Sequence, residues 1–208
     1  MVCSKPGMVI NMKSITNLPI TDNRAWLILG KGPTFERLID INTNSYYLFG
    51  LNDTVNYVYC TIGHFIDLDV ILRLKGYDCE YLVVPWHPHV NNSPTNRTLK
   101  DWIKENKYLE HYENNGRLFT YNLSTWKQDH LEGYPVIKTR YFSAEAAFRI
   151  LILKKIKTIY SLGIDGGIEY AREFKRLNPL TNGRKSFDDQ FKEINKIVEE
   201  SLVTYHAL

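Results

Sequence analysis

Trp26-Leu27-Ile28-Leu29-Gly30-Lys31-Gly32-Pro33-Thr34 is an apolar run that stops at two glycines and a proline, just before a helical pattern begins. The run predicts a buried strand, the glycines a tight turn, and Pro33 a first helical position, where the amide that proline lacks would be unpaired in any case. The remaining amides of that first turn, backed by the positive end of the helix dipole, are expected to face an anion such as phosphate. A glycine turn between strand and helix is also an ordinary structural device, so the turn alone does not settle a function.

The same grammar repeats along the chain. Ser45 to Asn52 and Asn56 to Gly63 read as the second and third strands, Leu68 to Lys75 as a short helix stopped by Gly76, and Glu80 to Pro85 as another buried strand. Residues 86–118 hold a polar, proline-punctuated loop and a helix from Leu99 to Asn106. Phe119 to Leu123 reads as a strand, and 126–140 as a second loop-rich insertion beside a site. Ser143 starts a strong helix, with Ala144, Ala147, Phe148, Leu151 and Ile152 on one face, and Thr158 to Ile164 is a strand running into Asp165-Gly166-Gly167. A last helix from Phe187 to Leu202 is expected to be capped by Ser186, with Asp189 three residues on, and to pack a stripe of Phe187, Phe191, Ile194, Val198 and Leu202 on the sheet. Strands alternating with helices in this way predict one Rossmann-like α/β domain over residues 1–208, a mostly parallel sheet with helices on both faces, preceded by an extension over 1–23.

Composition excludes several classes. The 208 residues are 44% hydrophobic and 24% charged, as expected of a globular chain, and no run is apolar and long enough to span a bilayer. The stretch from Met1 to Met12 is broken by Lys5-Pro6-Gly7 and does not read as a signal peptide, so a cytoplasmic location is expected, that of a bacterial host if the gene is carried by a phage. Cys3, Cys60 and Cys79 lack metal-ligand spacing, and Cys60 reads as a buried thiol. The formal charge of +3 hides an asymmetry: Lys138 to Lys185 carries eleven Lys and Arg against four acids, an excess of seven in 48 residues. Much of this is solvated surface, but it favours an anionic partner, either nucleotide phosphates or a nucleic-acid backbone.

Four stretches together resemble one family. Gly30-Lys31-Gly32-Pro33-Thr34 is similar to its Gly-x-Gly-Pro-Ser turn, and Gly50-Leu51-Asn52 to its short strand ending in a ligand-binding Asn. Ser143-Ala144-Glu145-Ala146-Ala147 resembles its Ser-Gly helix start, and Ile159 to Asp165 its strand ending in Gly-Ile-Asp. The family is that of the Campylobacter-type bacterial sialyltransferases, with relatives of the methanogen pterin diphosphokinase type. The resemblance implies a nucleotide-sugar donor as co-substrate, with its phosphates on Gly30, Lys31, Gly32, Pro33, Thr34 and Asn52 and its nucleoside framed by Ser143 and Asp165. It also implies that no divalent metal is needed. Two departures stand out: the helix start is Tyr141-Phe142-Ser143-Ala144, and the family's lid tyrosines and catalytic His find here Tyr170 but no His before His206. The compact, basic form also resembles phage glycosyltransferases that decorate 5-hydroxymethylcytosine in DNA.

Further candidates come from residue chemistry. His64, at the end of the third strand, and His87, after the next, could each take a proton from an acceptor hydroxyl, and Asp165 could do so or contact the donor ribose. Trp86 could stack on a sugar or base, with His89, Arg140, Lys154 and Lys155 as further acceptor contacts and Arg149 a possible phosphate partner. Asp67 and Asp69 have a spacing suited to a divalent ion on a diphosphate, although Asp67 also sits where a helix cap belongs. The expected function is transfer of a sugar from a nucleotide sugar to a hydroxyl, with 5-hydroxymethylcytosine of phage DNA as the favoured acceptor. Alternatives are a sialyltransferase-like enzyme acting on surface glycans, a pterin-type pyrophosphokinase and a non-catalytic nucleotide-binding module.

Overall fold

The computed structural model describes residues 12–76, 79–124, 129–140, 143–177 and 186–208. Its strands are β1 (Lys13–Ser14), β2 (Trp26–Leu29), β3 (Tyr47–Leu51), β4 (Cys60–His64), β5 (Cys79–Pro85), the hairpin β6 (His89–Val90) and β7 (Ser93–Pro94), β8 (Leu118–Leu123), β9 (Val136–Ile137), β10 (Thr158–Leu162) and β11 (Thr204–Ala207). The α-helices are α1 (Leu99–Ile103), α2 (Lys107–Asn114), α3 (Ser143–Leu153) and α4 (Asp188–Glu199). The main sheet runs β1-β8-β5-β4-β3-β2-β10-β11, with β9 on β8, and every pair in it is parallel.

Burial explains why the central strands read as unbroken apolar runs. Along β2, Trp26 and Ile28 enter the core under α3 and α4, while Leu27 and Leu29 enter the core under α1 and α2. On α3, Ala146, Ala147 and Phe148 are fully buried, and on α2, Leu109 and Tyr112 are. Helices on both faces of a parallel sheet are what the alternating sequence predicts.

Several elements differ from their sequence reading. The helix after the glycine turn, Pro33–Asp40, is a 3-10 helix, as is Leu68–Arg73. A 3-10 helix rises ~2.0 Å per residue, so a short connection reaches the start of the next strand with few residues. Residues 52–56, partly read as strand, form a 3-10 turn that buries Val55, and β4 begins only at Cys60. Within the extension over 1–23, Lys13–Ser14 pairs with β8, and Met12, Ile15 and Leu18 are buried. The 86–118 segment holds α2 as well as α1. In 126–140, β9 pairs with β8 and the Asn122 side chain binds Leu131 and Tyr134; residues 126–128 lie outside the described residues. Ser186 binds Asp188 rather than closing a cap with Asp189, and α4 ends at Glu199, which leaves Leu202 fully exposed and Ile197 buried in its stead. β11 was not foreseen, because an edge strand with mostly exposed side chains carries little apolar pattern. Among the described residues no helix is long and apolar enough to cross a membrane.

One contact sets the sheet's centre. A Cβ on Gly30 would meet the Gly163 carbonyl oxygen at 2.2 Å, and Gly163 itself holds φ +74°, so backbone faces backbone with no flexible group to yield. Gly30→Ala should therefore destabilise the fold by about 3 kcal/mol. Gly133→Ala, with φ +77° but nothing within 4 Å, should cost only about 1 kcal/mol. Urea unfolding of both variants checks the difference.

Candidate functional site

The chain leaves β2 toward β3, β4, β5 and β8 on one side and returns through β10 and β11 on the other. Adjacent strands whose connections run in opposite directions leave a crevice beyond their carboxyl ends. A cavity of about 370 Å³ lies there, lined by the Gly30–Gly32 turn, Asn52, Asp67, Asp69, Arg73, the Asn91–Asn92 turn, the start of α3, Gly163 to Gly166, Tyr170 and the first turn of α4.

The turn does not present its amides as the sequence suggests. Gly30 N–H donates to Leu162 O at 2.8 Å and Gly32 N–H to Gly163 O at 2.8 Å. The Thr34 amide donates to Asp165 Oδ2 at 2.8 Å, its hydroxyl donates to Asp165 Oδ1 at 2.5 Å, and the Gly163 amide donates to that hydroxyl oxygen. Asp165 therefore caps the Pro33–Asp40 helix from the neighbouring strand and takes the place expected for a bound anion. Gly32 is required for this packing, since a Cβ there would stand 2.5 Å from Asp165 Oδ2.

Positive charge reaches the cavity through side chains. Asp53 is buried; it accepts from Arg73 Nε at 2.7 Å and Nη2 at 3.2 Å and lies 3.6 Å from Lys31 Nζ. Burial pulls the Asp53 carboxyl upward, but the Arg73 hydrogen bonds and the Lys31 charge outweigh it and hold it below its ordinary value. Burial also lowers the Lys31 amine, with Asp53 opposing. Lys31 Nζ sits 4.7 Å from the centre of the Tyr170 ring, which stacks on Phe187 at 5.6 Å. Asn52 lines the same cavity with φ +54°, and its carboxamide oxygen is shut off from solvent without a hydrogen-bond partner. Such an oxygen is costly to leave unmade and suits a donor group on a ligand.

The opposite wall is acidic. Asn91 and Asn92 both adopt left-handed backbone, φ +51° and +58°, which Asn tolerates, and their amides converge on two carboxylates. Asn91 N–H donates to Asp69 Oδ2 and Asn92 N–H to Asp67 Oδ2, each at 2.5 Å, while Asp67 Oδ1 accepts from the Asp69 amide at 3.4 Å. Burial, and then the hydrogen bond with Asp69, push Asp67 up to about 6. No third carboxylate, His or Cys joins them in a group able to hold a metal among the described residues.

The structure thus gathers Gly30, Lys31, Gly32, Asn52, Asp67, Asp69, His89, Ser143 and Asp165 around one cavity. Pro33 and Thr34 lie behind the turn and do not line it. His64 is fully buried, bonded through Nε2 to the Tyr121 hydroxyl at 2.9 Å, and burial lowers it to about 3. His87 has Nδ1 3.2 Å from Arg97 O and Nε2 2.9 Å from Asp129 O, so it ties loops together. Trp86 is a core residue under Lys100, and Arg140 binds the Glu145 carboxylate through its own amide. Lys154 donates to Thr16 O and Lys155 follows it, beyond the far end of α3 from Ser143 and beside the amino end of β10. Arg149 sits within α3, and its Nε is buried without a partner. Tyr141, Phe142, Arg184 and Lys185 lie outside the described residues. Sequence reading missed Arg73, Asp53 and the Asn91–Asn92 turn. The only local hint was an Arg four residues after Asp69, whose carbonyl Arg73 binds at 3.2 Å.

No protein-family model matches the chain, and no curated protein matches it significantly in sequence. Among solved structures it is similar to the sialyltransferase CstII from Campylobacter jejuni in complex with the substrate analogue CMP-3FNeuAc, with a TM-score of 0.47 and 13% identity over 89% of this chain and 81% of that one. It is also similar to a single-residue variant of the alpha-2,3/8-sialyltransferase CstII, with a TM-score of 0.38 and 14% identity over the same shares.

The Asp67 pKa has a consequence for stability. A carboxyl raised from 3.8 to about 6 on folding binds its proton more tightly in the native state, so its favourable contribution is full below pH 3.8 and is lost as pH rises through about 6. Asp67→Asn, whose Nδ2 supplies a fixed donor to Asp69, should stabilise the protein by about 1–3 kcal/mol at pH 8 and by nothing measurable at pH 3.5. Chemical denaturation at the two pH values reads the difference.

Proposed function

We propose that the chain is a glycosyltransferase that moves a sugar from a nucleotide-sugar donor to a hydroxyl acceptor. The observation that carries this reading is the pair of cations, Lys31 and Arg73, fixed by buried Asp53 at the carboxyl edge of the sheet, where the strand order reverses. Two fixed positive charges in a partly desolvated cavity suit the phosphate that leaves with the nucleotide, because they meet the charge that develops as the sugar departs. Tyr170 and the start of α4 supply aromatic surface for a base or sugar. The motif resemblance points the same way. In this reading the donor phosphates meet side chains more than the turn's amides, of which those of Gly30, Gly32 and Thr34 are already engaged.

A divalent ion is not required in this scheme, since the Asp67 and Asp69 carboxylates are held by the Asn91–Asn92 amides. The acceptor is a hydroxyl compound such as a surface glycan. Lys154, Lys155 and Lys157 stand at the amino edge of the sheet, away from the cavity, and Lys157 pairs with Asp22 at 4.0 Å. These three supply no basic track into the site; Arg172, Lys175 and Arg176 lie between the cavity-lining Tyr170 and Leu177, and DNA is kept as one arm of the test below.

Calorimetric titration with a panel of CMP, UDP, GDP and ADP derivatives, followed by mass spectrometry of each with oligosaccharides and with 5-hydroxymethylcytosine DNA, tests the reading. One nucleotide class should bind, and Lys31→Ala should weaken it at least tenfold, about 1.4 kcal/mol. Donor consumption should survive excess chelator, and Gln at positions 154, 155 and 157 should leave it unchanged. Tight binding with no consumption would mean a nucleotide-binding module, and transfer of a diphosphate would mean a pyrophosphokinase.

A further inference from the structure

Sugar transfer to a hydroxyl needs a group that removes the acceptor's proton, and neither histidine chosen from the sequence can reach one. His64 is enclosed against Tyr121. His87 places both ring nitrogens on backbone carbonyls outside the cavity. Asp165 lines the cavity, but it accepts the Thr34 amide at 2.8 Å and the Thr34 hydroxyl at 2.5 Å, whereas the contact of Asp67 Oδ1 with the Asp69 amide is long, at 3.4 Å. What remains is the wall opposite the cations.

We infer that Asp67 is the proton acceptor of the reaction, taking the proton of the acceptor hydroxyl, with Asp69 as the neighbour that tunes it. This rests on the transfer reading above. Asp67 is half-buried and lines the cavity, whereas His89, which also lines it, is only 2% exposed. Its carboxylate is oriented by the Asn92 amide and by its own cap on the Leu68–Arg73 helix. Asn52, whose carboxamide oxygen is buried without a hydrogen-bond partner, lines the same cavity. The groups facing Asp67 are Asp69 and Arg73 from its own helix, His89 from the neighbouring bridge, Lys31 from the glycine turn and the Asn91 and Asn92 amides. Burial raises the basicity of Asp67 most, and Asp69 adds to it by sharing a proton and by repulsion, toward the operating range of a general base. The balance is complete. The acceptor oxygen bonds to the anomeric carbon as its proton passes to Asp67. The bond from that carbon to the phosphate oxygen breaks, and its electron pair leaves on the nucleotide beside Lys31 and Arg73.

The test uses the full chain and the nucleotide sugar retained from the panel above. Asp67→Asn should fold, bind that donor within about twofold of the parent, and lose kcat by a factor of about 10²–10⁴. Asp69→Asn should stay active, with the acid limb of its pH–rate profile moved to lower pH, because the part of the rise that Asp69 adds to that of burial is gone. A purely structural role for Asp69 would not move that limb. Turnover by Asp67→Asn at the parent rate overturns the assignment while leaving the donor site intact. So does an unmoved limb in Asp69→Asn, or a loss of kcat confined to His89→Gln. If the parent binds no nucleotide sugar at all, the transfer reading and the base fall together.

Discussion

The structure depends on the close approach of two backbones, Gly30–Gly32 at the end of β2 and Gly163–Asp165 at the end of β10. Two amide-to-carbonyl bonds and the Thr34–Asp165 contacts lock these loops together across a gap that no side chain could enter. Because β2 and β10 are the strands at which the chain reverses its direction across the sheet, this lock also fixes the mouth of the crevice. The glycines serve the fold first. Whatever the cavity binds is presented with side chains that the lock holds in place.

Electrostatically the cavity is divided. Asp53 makes one wall cationic without being a ligand itself: it neutralises part of the charge of Lys31 and Arg73, fixes both, holds the Arg73 guanidinium above its ordinary value and opposes the burial that lowers the Lys31 amine. The facing wall holds two carboxylates close enough to share a proton. Such walls suit a ligand with a phosphate at one end and a hydroxyl at the other. They also burden the native state, since a carboxyl pushed up to about 6 weakens the fold at neutral pH.

The two faces of the sheet contribute unequally to the site. From the α1 and α2 side come the 3-10 helices that carry Asp53, Asp67, Asp69 and Arg73, while α3 and α4 close the cavity from the other side with Ser143, Phe187 and Phe191. The Tyr170–Phe187 stack joins the loop after β10 to the start of α4, so the aromatic wall and the cation Lys31 are positioned by one run of contacts.

The sequence by itself determined the architecture. Doubly covered strands must be apolar throughout, and Trp26–Leu29, Cys79–Pro85 and Thr158–Leu162 could be read as such with no knowledge of their neighbours. It also marked loops that border the cavity, because glycines and acids at strand ends are local signals. Which of the marked residues meet was decided by the tertiary structure. Asp165 and Thr34 are 131 positions apart, and only strand adjacency lets one cap the other. His64 and Trp86 looked available because they stand at strand ends, where ligands bind in open parallel sheets, yet the packing around them buries both. Arg73 and Asp53 gave little signal, since a charged pair 20 residues apart becomes a site only when two short helices pack side by side. Periodicity reports the face a residue turns to its own element, and a site is made of residues whose elements turn toward one another.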